Sequence, residues 1–592
     1  MADTNRFRDD LAQVQTLPQA LEERVRRQGD EVWLTLYAKD KVDCRLTFAG
    51  LREGAGRWAA ALVGAGLEPG GAVLLVLPTE RAFYEAYWGI LLAGGVPVPA
   101  YPPVRMGRLE EYLDNLARVA ATAGVRHLVT NGLIRPLVRP VEDRLPDPVR
   151  FLTPSDVKPT GDAPRVPHAA QDLALLQFTS GSTGTQKGVM LTHANLLANL
   201  RAIGHGMAPR PGDVAVSWLP LYHDMGLIGL MLGSLYFGVP LVACSPIDFL
   251  RRPVRWLRMI SDHRGTLTAG PNFAYSLVAR KAREADLPGI DLASLRVALC
   301  GAEPIHPATV EGFRDRFRRV GFRPEAFFPA YGLAENTLAV SFAELGAEPR
   351  IVHVDADRLE GENRAVACPP GPGARAVVSV GRPLPTVEVA VVDDAGTPLA
   401  EGVRGEIVVR GPSVMKGYYA NPEATAAALR GGWLHTGDLG FFLEGHLYVS
   451  GRKKDMVIKA GRNYFAEDLE AAAARVEGVK PGGVCAFSVT REDRGTEEVV
   501  LVVETREPDP PADLAGRVQA EVAEATGCRP DRVVIVPART LPKTSSGKLQ
   551  RFRTRSWYLD GTLVHRGGER RTTGLVAYAK AWLRDKVRAG RR

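Results

Sequence analysis

The sequence predicts an α/β fold: a large N-terminal domain of layered α/β sheets with a β-rich part, then a small α+β domain. Three observations carry this. Short apolar runs alternate with helical patterns through the first half of the chain, an order that builds a largely parallel sheet covered by helices. After about residue 380, TVEVAVVDDAGTPL and GEIVVRGPSV alternate between turn residues, the texture of antiparallel β structure. From Gly451 a third texture begins, with helices such as AEDLEAAAARVEGV between strands VVLVVET and RVVIVP.

In chain order, AVLLVLP (72–78) reads as a buried strand, and ERAFYEAYWGILLAGG as a helix closed by Gly94 and Gly95. VPVPAYPP follows as a short extended piece. The unit returns as DVAVSW (213–218), a helix and VPLVAC (239–244), then as LRVALCG (295–301) and EAFFPAYG (325–332). Ligands of such sheets bind in loops at the carboxyl ends of the strands. Residues 344–380, rich in Pro, Gly and charge, read as an insertion more than as a core element. The expected division is a large domain over 1–450, with a β-rich subdomain at about 381–450, and a small domain over 451–592.

The totals exclude several classes. At 592 residues, with 45% hydrophobic and 24% charged, the chain has an ordinary globular composition. Its net charge of +8 is concentrated in the tail, where the 32 residues from Gly561 hold nine Lys or Arg against Glu569 and Asp585. The body is therefore near neutral and lacks a nucleic-acid footprint; the tail reads as a solvated face. Six cysteines (44, 244, 300, 368, 485, 528) include no two at ligand spacing, so neither a zinc site nor a disulfide framework is expected. MADTNRFRDDLAQ has no apolar region of a signal peptide, and no apolar run approaches the roughly 18 residues of a membrane span. A cytoplasmic protein with no integral membrane segment is expected.

FTSGSTGTQKGVMLTH (178–193) is the most informative stretch. LALLQF precedes it. Beyond it Leu196, Leu197, Leu200 and Ile203 share a helical face, with Thr192 as the cap. A loop at a strand end lets backbone N–H groups converge on an anion. The hydroxyls of Thr179, Ser180, Ser182 and Thr183 add donors, Gly181 and Gly184 leave the backbone bare, and Lys187 adds a point charge. A Walker loop is excluded, because Gly184 is followed by Thr185, Gln186 and Lys187 in place of Lys-Ser/Thr.

With PLYHDMGLIG (220–229), GAEPI (301–305), YGLAENT (331–337), GWLHTGDLG (432–440), GRKKDMVIKAGRN (451–463) and LPKTSSGKLQR (541–551), that loop resembles the ordered motifs of the adenylate-forming superfamily. This superfamily comprises acyl-CoA synthetases, luciferases and peptide-synthetase adenylation domains. Within it the chain is most similar to fatty acyl-AMP ligases, through PLYHDMGLIG, through GRN (461–463) and through the extra stretch near 344–380. It departs from the pattern at Gln186, where the loop usually has proline, at YFAED (464–468), and at Ala334, where many relatives have a threonine hydroxyl near the phosphates.

The resemblance implies a distorted β-barrel in the β-rich part, a mobile C-terminal domain and a two-step reaction. A medium- or long-chain fatty acid attacks the α-phosphorus of ATP to give acyl-AMP and pyrophosphate. The acyl group then passes to the phosphopantetheine thiol of an acyl carrier protein of a polyketide or lipopeptide synthase. It implies that the glycine loop holds the β- and γ-phosphates and that Glu335 holds Mg²⁺. Gly301, Ala302 and Tyr331 would pack on the adenine, within stretches that include Glu303 and Gly332. Asp438 would bind the ribose hydroxyls with Arg452 as a second contact, and His223 would line the path to the carboxylate. Lys548 would bring carboxylate and α-phosphate together, and Lys454 would be the hinge. Two alternatives stand beside this: an acyl-CoA synthetase using free CoA, and a non-catalytic regulator that binds nucleotide or acyl adenylate.

Overall fold

The computed structural model describes residues 9–103, 109–158, 166–179, 186–459, 462–491, 496–544 and 548–563. Its largest sheet has nine strands. Six of them, Val32–Ala38, Leu241–Cys244, Ala215–Ser217, Leu267–Gly270, Val297–Cys300 and Phe327–Gly332, run parallel in that spatial order. Antiparallel strands close both edges: Lys41–Thr47 on one side, Ala339–Phe342 and Arg382–Pro383 on the other. A second sheet of four parallel strands is built from Ala72–Leu75, Val96–Pro99, His127–Val129 and Arg150–Leu152. Parallel strands carry near-continuous apolar runs because helices cover both faces. Trp33, Val297 and Ala298 on the strands are fully buried, as are Trp88 and Trp256 on the flanking helices.

The expected strand–helix–strand units are present. Arg81–Leu92 is the helix after Ala72–Leu75, and Gly94 takes the left-handed conformation (φ +76°) that ends it. Between Ala215–Ser217 and Leu241–Cys244 the connection is a π-helical stretch, Met225–Leu232, continuing into Gly233–Phe237. Such wide turns concentrate at functional sites.

Glu388–Val392, Gly405–Arg410, Leu429–Arg430, Trp433–Leu443 and His446–Arg452 form an antiparallel sheet that curls into a half-barrel. The C-terminal sheet consists of Val479–Arg491, Thr496–Thr505 and Arg532–Pro537. The helix between its last two strands is Leu514–Thr526, whereas AEDLEAAA, helical over Ala466–Ala473, precedes the sheet.

The stretch 344–380, read from the sequence as an insertion, carries regular elements of its own. It contains the antiparallel pair Ile351–Asp355 and Ala374–Val378 and the short helix Ala356–Glu362. Val354, Leu359 and Val377 pack with Phe441 and Tyr448 of the half-barrel sheet in a small core of their own. The neighbouring edge strands Ala339–Phe342 and Arg382–Pro383 leave and re-enter the nine-stranded sheet side by side. The intervening residues are therefore an excursion from an otherwise closed edge.

Candidate active site

One cavity of about 2770 Å³ runs between the sheets and the C-terminal elements. The candidate residues Thr179, Lys187, His223, Glu335, Asp438 and Lys548 all line it. So do Gly301, Ala302, Glu303, Tyr331 and Gly332, together with Arg452 and Lys454. Ser180, Gly181, Ser182, Thr183 and Gly184 lie outside the described residues.

The glycine loop joins two antiparallel strands, Leu173–Thr179 and Lys187–Thr192, and the Thr179–Lys187 pair closes its base. Thr192 caps the following helix, His193–Met207: its hydroxyl accepts from Asn195 N, and the Asn195 side chain answers with the Thr192 backbone. The Lys187 ammonium lies 4.7 Å from the centre of the Tyr418 ring, a cation–π distance. The Tyr418 hydroxyl donates to Glu335 Oε1 at 2.8 Å. Tyr418, which the motif reading missed, thus ties the lysine of one strand to the carboxylate after another. Burial and the Glu335 charge hold its phenol protonated, well above the usual range. Its only sequence signal is the stretch KGYY (416–419), which carries no chemistry by itself.

Asp438 is buried on the strand Trp433–Leu443. Oδ2 accepts from the Tyr331 hydroxyl at 2.7 Å and Oδ1 from Arg452 Nε at 2.9 Å. Each carboxylate oxygen has a second lone-pair direction, so a diol can still be received there. Tyr331, expected against a flat ring, spends its hydroxyl on this carboxylate.

The small residues of GAEPI and YGLAENT answer to the backbone. A Cβ on Gly301 would stand 2.9 Å from the Ala330 carbonyl, and one on Gly332 would collide with the Leu338 carbonyl. Their lack of side chain is therefore required by neighbouring strands. Ala302 holds φ +67°, a conformation a non-glycine residue keeps only when its surroundings impose it. Glu303 accepts from Phe273 N at the start of the helix Asn272–Lys281, and burial raises its carboxyl above the ordinary range.

His223 Nδ1 is 2.6 Å from Asp224 Oδ1, which also accepts from Met225 N at 2.7 Å and so caps the π-helical stretch. Burial works against the Asp224 charge, but His223, Lys548 and the Met225 amide hold its carboxyl below the usual value. Asp224 is a second residue that motif reading passed over; its adjacency to His223 was visible, but not that the two side chains meet.

Lys548 lies in a hairpin closed by Thr544 N donating to Lys548 O at 2.7 Å and Lys548 N to Thr544 Oγ1 at 3.0 Å. Burial, then the Arg452 charge, lower its ammonium pKa, while Asp224, Glu303 and Asp438 pull the other way. Lys548 and these three carboxylates, contributed by three different motifs, line the same cavity. Lys454 is in the exposed turn Lys453–Asp455 between the half-barrel sheet and the C-terminal elements. Among the described residues no cluster of three or more His, Cys, Asp or Glu side chains fits a metal ion, and no helix is long and apolar enough to cross a membrane.

An α/β cleft lined by Thr179, Lys187, Asp438 and Lys548 suits an adenylate-forming ligase. The chain belongs to the AMP-binding enzyme family, whose profile matches residues 21–419. It is 36% identical over 560 residues to a putative acyl-CoA synthetase of Caulobacter vibrioides, covering 93% of this chain and 96% of that one. It is 35% identical over 512 residues to the medium-chain-fatty-acid–[acyl-carrier-protein] ligase JamA of Moorena producens, covering 83% and 86%. A solved structure from work on fatty acyl-adenylate ligases of E. coli and L. pneumophila superposes with a TM-score of 0.86 at 34% identity, covering 92% of this chain and 98% of that one.

Proposed function

We propose that this ligase activates a medium- or long-chain fatty acid with ATP, giving acyl-AMP and pyrophosphate, and then passes the acyl group to the phosphopantetheine thiol of an acyl carrier protein. The observation that supports the reading is that Lys548 lines the same cavity as Asp224, Glu303 and Asp438, whose charges act on its amine. A cation there offsets the repulsion between an incoming carboxylate and the α-phosphate, the main electrostatic obstacle to the first step.

The other roles follow from position. Thr179 and Lys187, with the loop between them, hold the β- and γ-phosphates. Asp438 and Arg452 receive the ribose, and Gly301, Ala302, Glu303, Tyr331 and Gly332 form the nucleotide wall. His223, steadied by Asp224, lines the path of the fatty carboxylate. Glu335 fits Mg²⁺, because a single carboxylate suits an ion that takes its remaining ligands from phosphate and water. The bound ion would supply further charge neutralisation at the phosphates. Apolar walls for the acyl chain come from Leu219, Met225, Leu230, Phe237 and Phe273, which line the same cavity.

Lys454 is proposed as the hinge on which the C-terminal elements turn between the two steps. The 344–380 excursion is proposed to restrain that turn. Its Arg375 pairs with Asp468 at 2.9 Å and lies 4.6 Å from the centre of the Phe465 ring, with Arg404 5.0 Å from the same ring. The test is incubation with ATP, Mg²⁺ and a fatty-acid panel, with and without CoA and a phosphopantetheinylated carrier, followed by mass analysis. Acyl-AMP without CoA and thioester on the carrier are expected. Efficient thioester formation on free CoA would replace this reading with that of an acyl-CoA synthetase, and no adenylate with any acid would leave a binding protein.

A further inference from the structure

Three residues beyond Lys548 the chain turns on a buried cation. Arg551 opens the helix Arg551–Leu559. Its Nη1 donates to Asp455 Oδ2 at 2.8 Å, Nε to Glu470 Oε1 at 2.9 Å and Nη2 to Glu470 Oε2 at 2.8 Å. Glu467 Oε1 lies 2.9 Å from the same Nη1. The four side chains are between 12% and 18% exposed. A planar guanidinium with several fixed donors can serve three carboxylates at once; an ammonium of equal charge cannot.

The partners join separate pieces. Asp455 belongs to the turn Lys453–Asp455, which contains the proposed hinge, and Glu467 and Glu470 belong to the helix Ala466–Ala473. The Lys548 hairpin is closed on itself by the Thr544 bonds and by Gln550 N donating to Pro542 O at 3.0 Å. On one side the hairpin is tied outward by Lys543 Nζ donating to Gly482 O at 2.7 Å; on the other, Arg551 is the next charged group along the chain and ties it to the Asp455 turn and the Ala466–Ala473 helix.

The cluster is also unbalanced, with three carboxyls to one guanidinium. Glu467 Oε2 is buried and has no hydrogen-bond partner, which is costly for a charged oxygen. Burial pushes this carboxyl up to about 7. The neighbouring titratable groups whose charge is felt with Glu470 are Lys543, His306 and the buried Cys485 thiol.

We propose that Arg551 is a positioning residue for acyl-adenylate formation: by gripping Asp455, Glu467 and Glu470 together it joins the Lys548 hairpin to the Lys454 turn, so that lysine and turn move as one body. This deepens the adenylation reading and rests on it. By linkage, an arrangement that raises the Glu467 pKa is weakened when Glu467 ionises. Lysine placement is therefore best below about pH 7 and loosens as pH rises through that value.

The test uses the full chain with ATP, Mg²⁺ and the best fatty acid of the panel. Pyrophosphate release and acyl transfer from supplied acyl adenylate are followed in Arg551→Lys, Glu467→Gln and the reference Lys548→Ala. Arg551→Lys is expected to lower kcat for pyrophosphate release roughly tenfold to a hundredfold, as displaced catalytic groups do. KM for ATP and the transfer step should stay close to wild type. Glu467→Gln, which keeps the shape and removes the titration, should flatten the decline of kcat above about pH 7. An unchanged kcat in Arg551→Lys overturns the proposal. So does a parallel loss of adenylation, transfer and Tm, or a wild-type pH profile in Glu467→Gln. If Lys548→Ala releases pyrophosphate at the wild-type rate, the adenylation reading falls as well.

Discussion

On the N-terminal side of the cleft the charged candidates are bonded to neighbours from other elements: Glu335 to Tyr418, Asp438 to Tyr331 and Arg452. On the C-terminal side Lys548 has its backbone held by bonds to Thr544, and it shares the cavity with carboxylates of the opposite wall. One wall is braced by side chains from other elements, and the other is held through its own backbone. The contrast teaches that a single cleft can be fixed by different means on its two sides. Asp438 lies on a strand paired on both sides, whereas Lys548 sits in a short segment tied to its surroundings by Leu541, Lys543 and Arg551.

Substitutions on the two walls should therefore fail differently. Lys548→Ala should have the largest effect, lowering pyrophosphate release by roughly 10²–10³ as for loss of one positioned donor, with transfer from supplied acyl adenylate retained. Equal loss of both steps would erase the distinction between the walls. Tyr418→Phe should follow. Losing a hydrogen bond to a charged group, about 1.5–3 kcal/mol, corresponds to roughly tenfold to a hundredfold. The loss should read as a higher Mg²⁺ and ATP requirement with Tm little changed.

Asp224→Asn keeps a good helix cap but removes the charge beside His223. A fall of about tenfold in kcat/KM for the fatty acid is expected, at the lower end of the same range, with KM for ATP unaltered. A changed KM for ATP instead would move His223 to the nucleotide side. Arg375→Ala, which releases Phe465 and Asp468, should raise thioester formation on free CoA a few-fold, read by mass analysis; no change would leave the 344–380 excursion without influence on the arm.

The smallest effect concerns pH. Burial raises the Glu360 carboxyl from 4.5 to about 7. Its contribution to stability is complete below the ordinary value and is lost as pH rises through about 7, the same window as Glu467. Glu360→Gln should leave a shallower decline of Tm between those values, and an unaltered slope would place the titration elsewhere.

Much of this molecule was legible before folding. Apolar runs followed by glycine stops, such as AVLLVLP with Gly94 and Gly95 beyond it, name their own strand and helix, and Thr192 with Asn195 names a cap. Leu267–Gly270 was not legible: four residues after the polar run DHRGT give no periodicity, although the strand lies in the middle of the largest sheet. The pair Ile351–Asp355 and Ala374–Val378 was hidden by the Pro, Gly and charge between its strands. Asp224 was in view, but a carboxylate next to a histidine in sequence does not say that ring and oxygen meet.

The sequence by itself determined the layered α/β order, the family motifs and the residue types available for chemistry, because periodicity and turn residues act over a few neighbours. Tertiary structure alone decided that Tyr418 joins Lys187 to Glu335, that Arg551 grips Asp455, Glu467 and Glu470, and that Lys548 and Asp438 line one cavity. Those residues are tens to hundreds of positions apart in the chain, and only the packing of separate sheets and helices brings such distant side chains together.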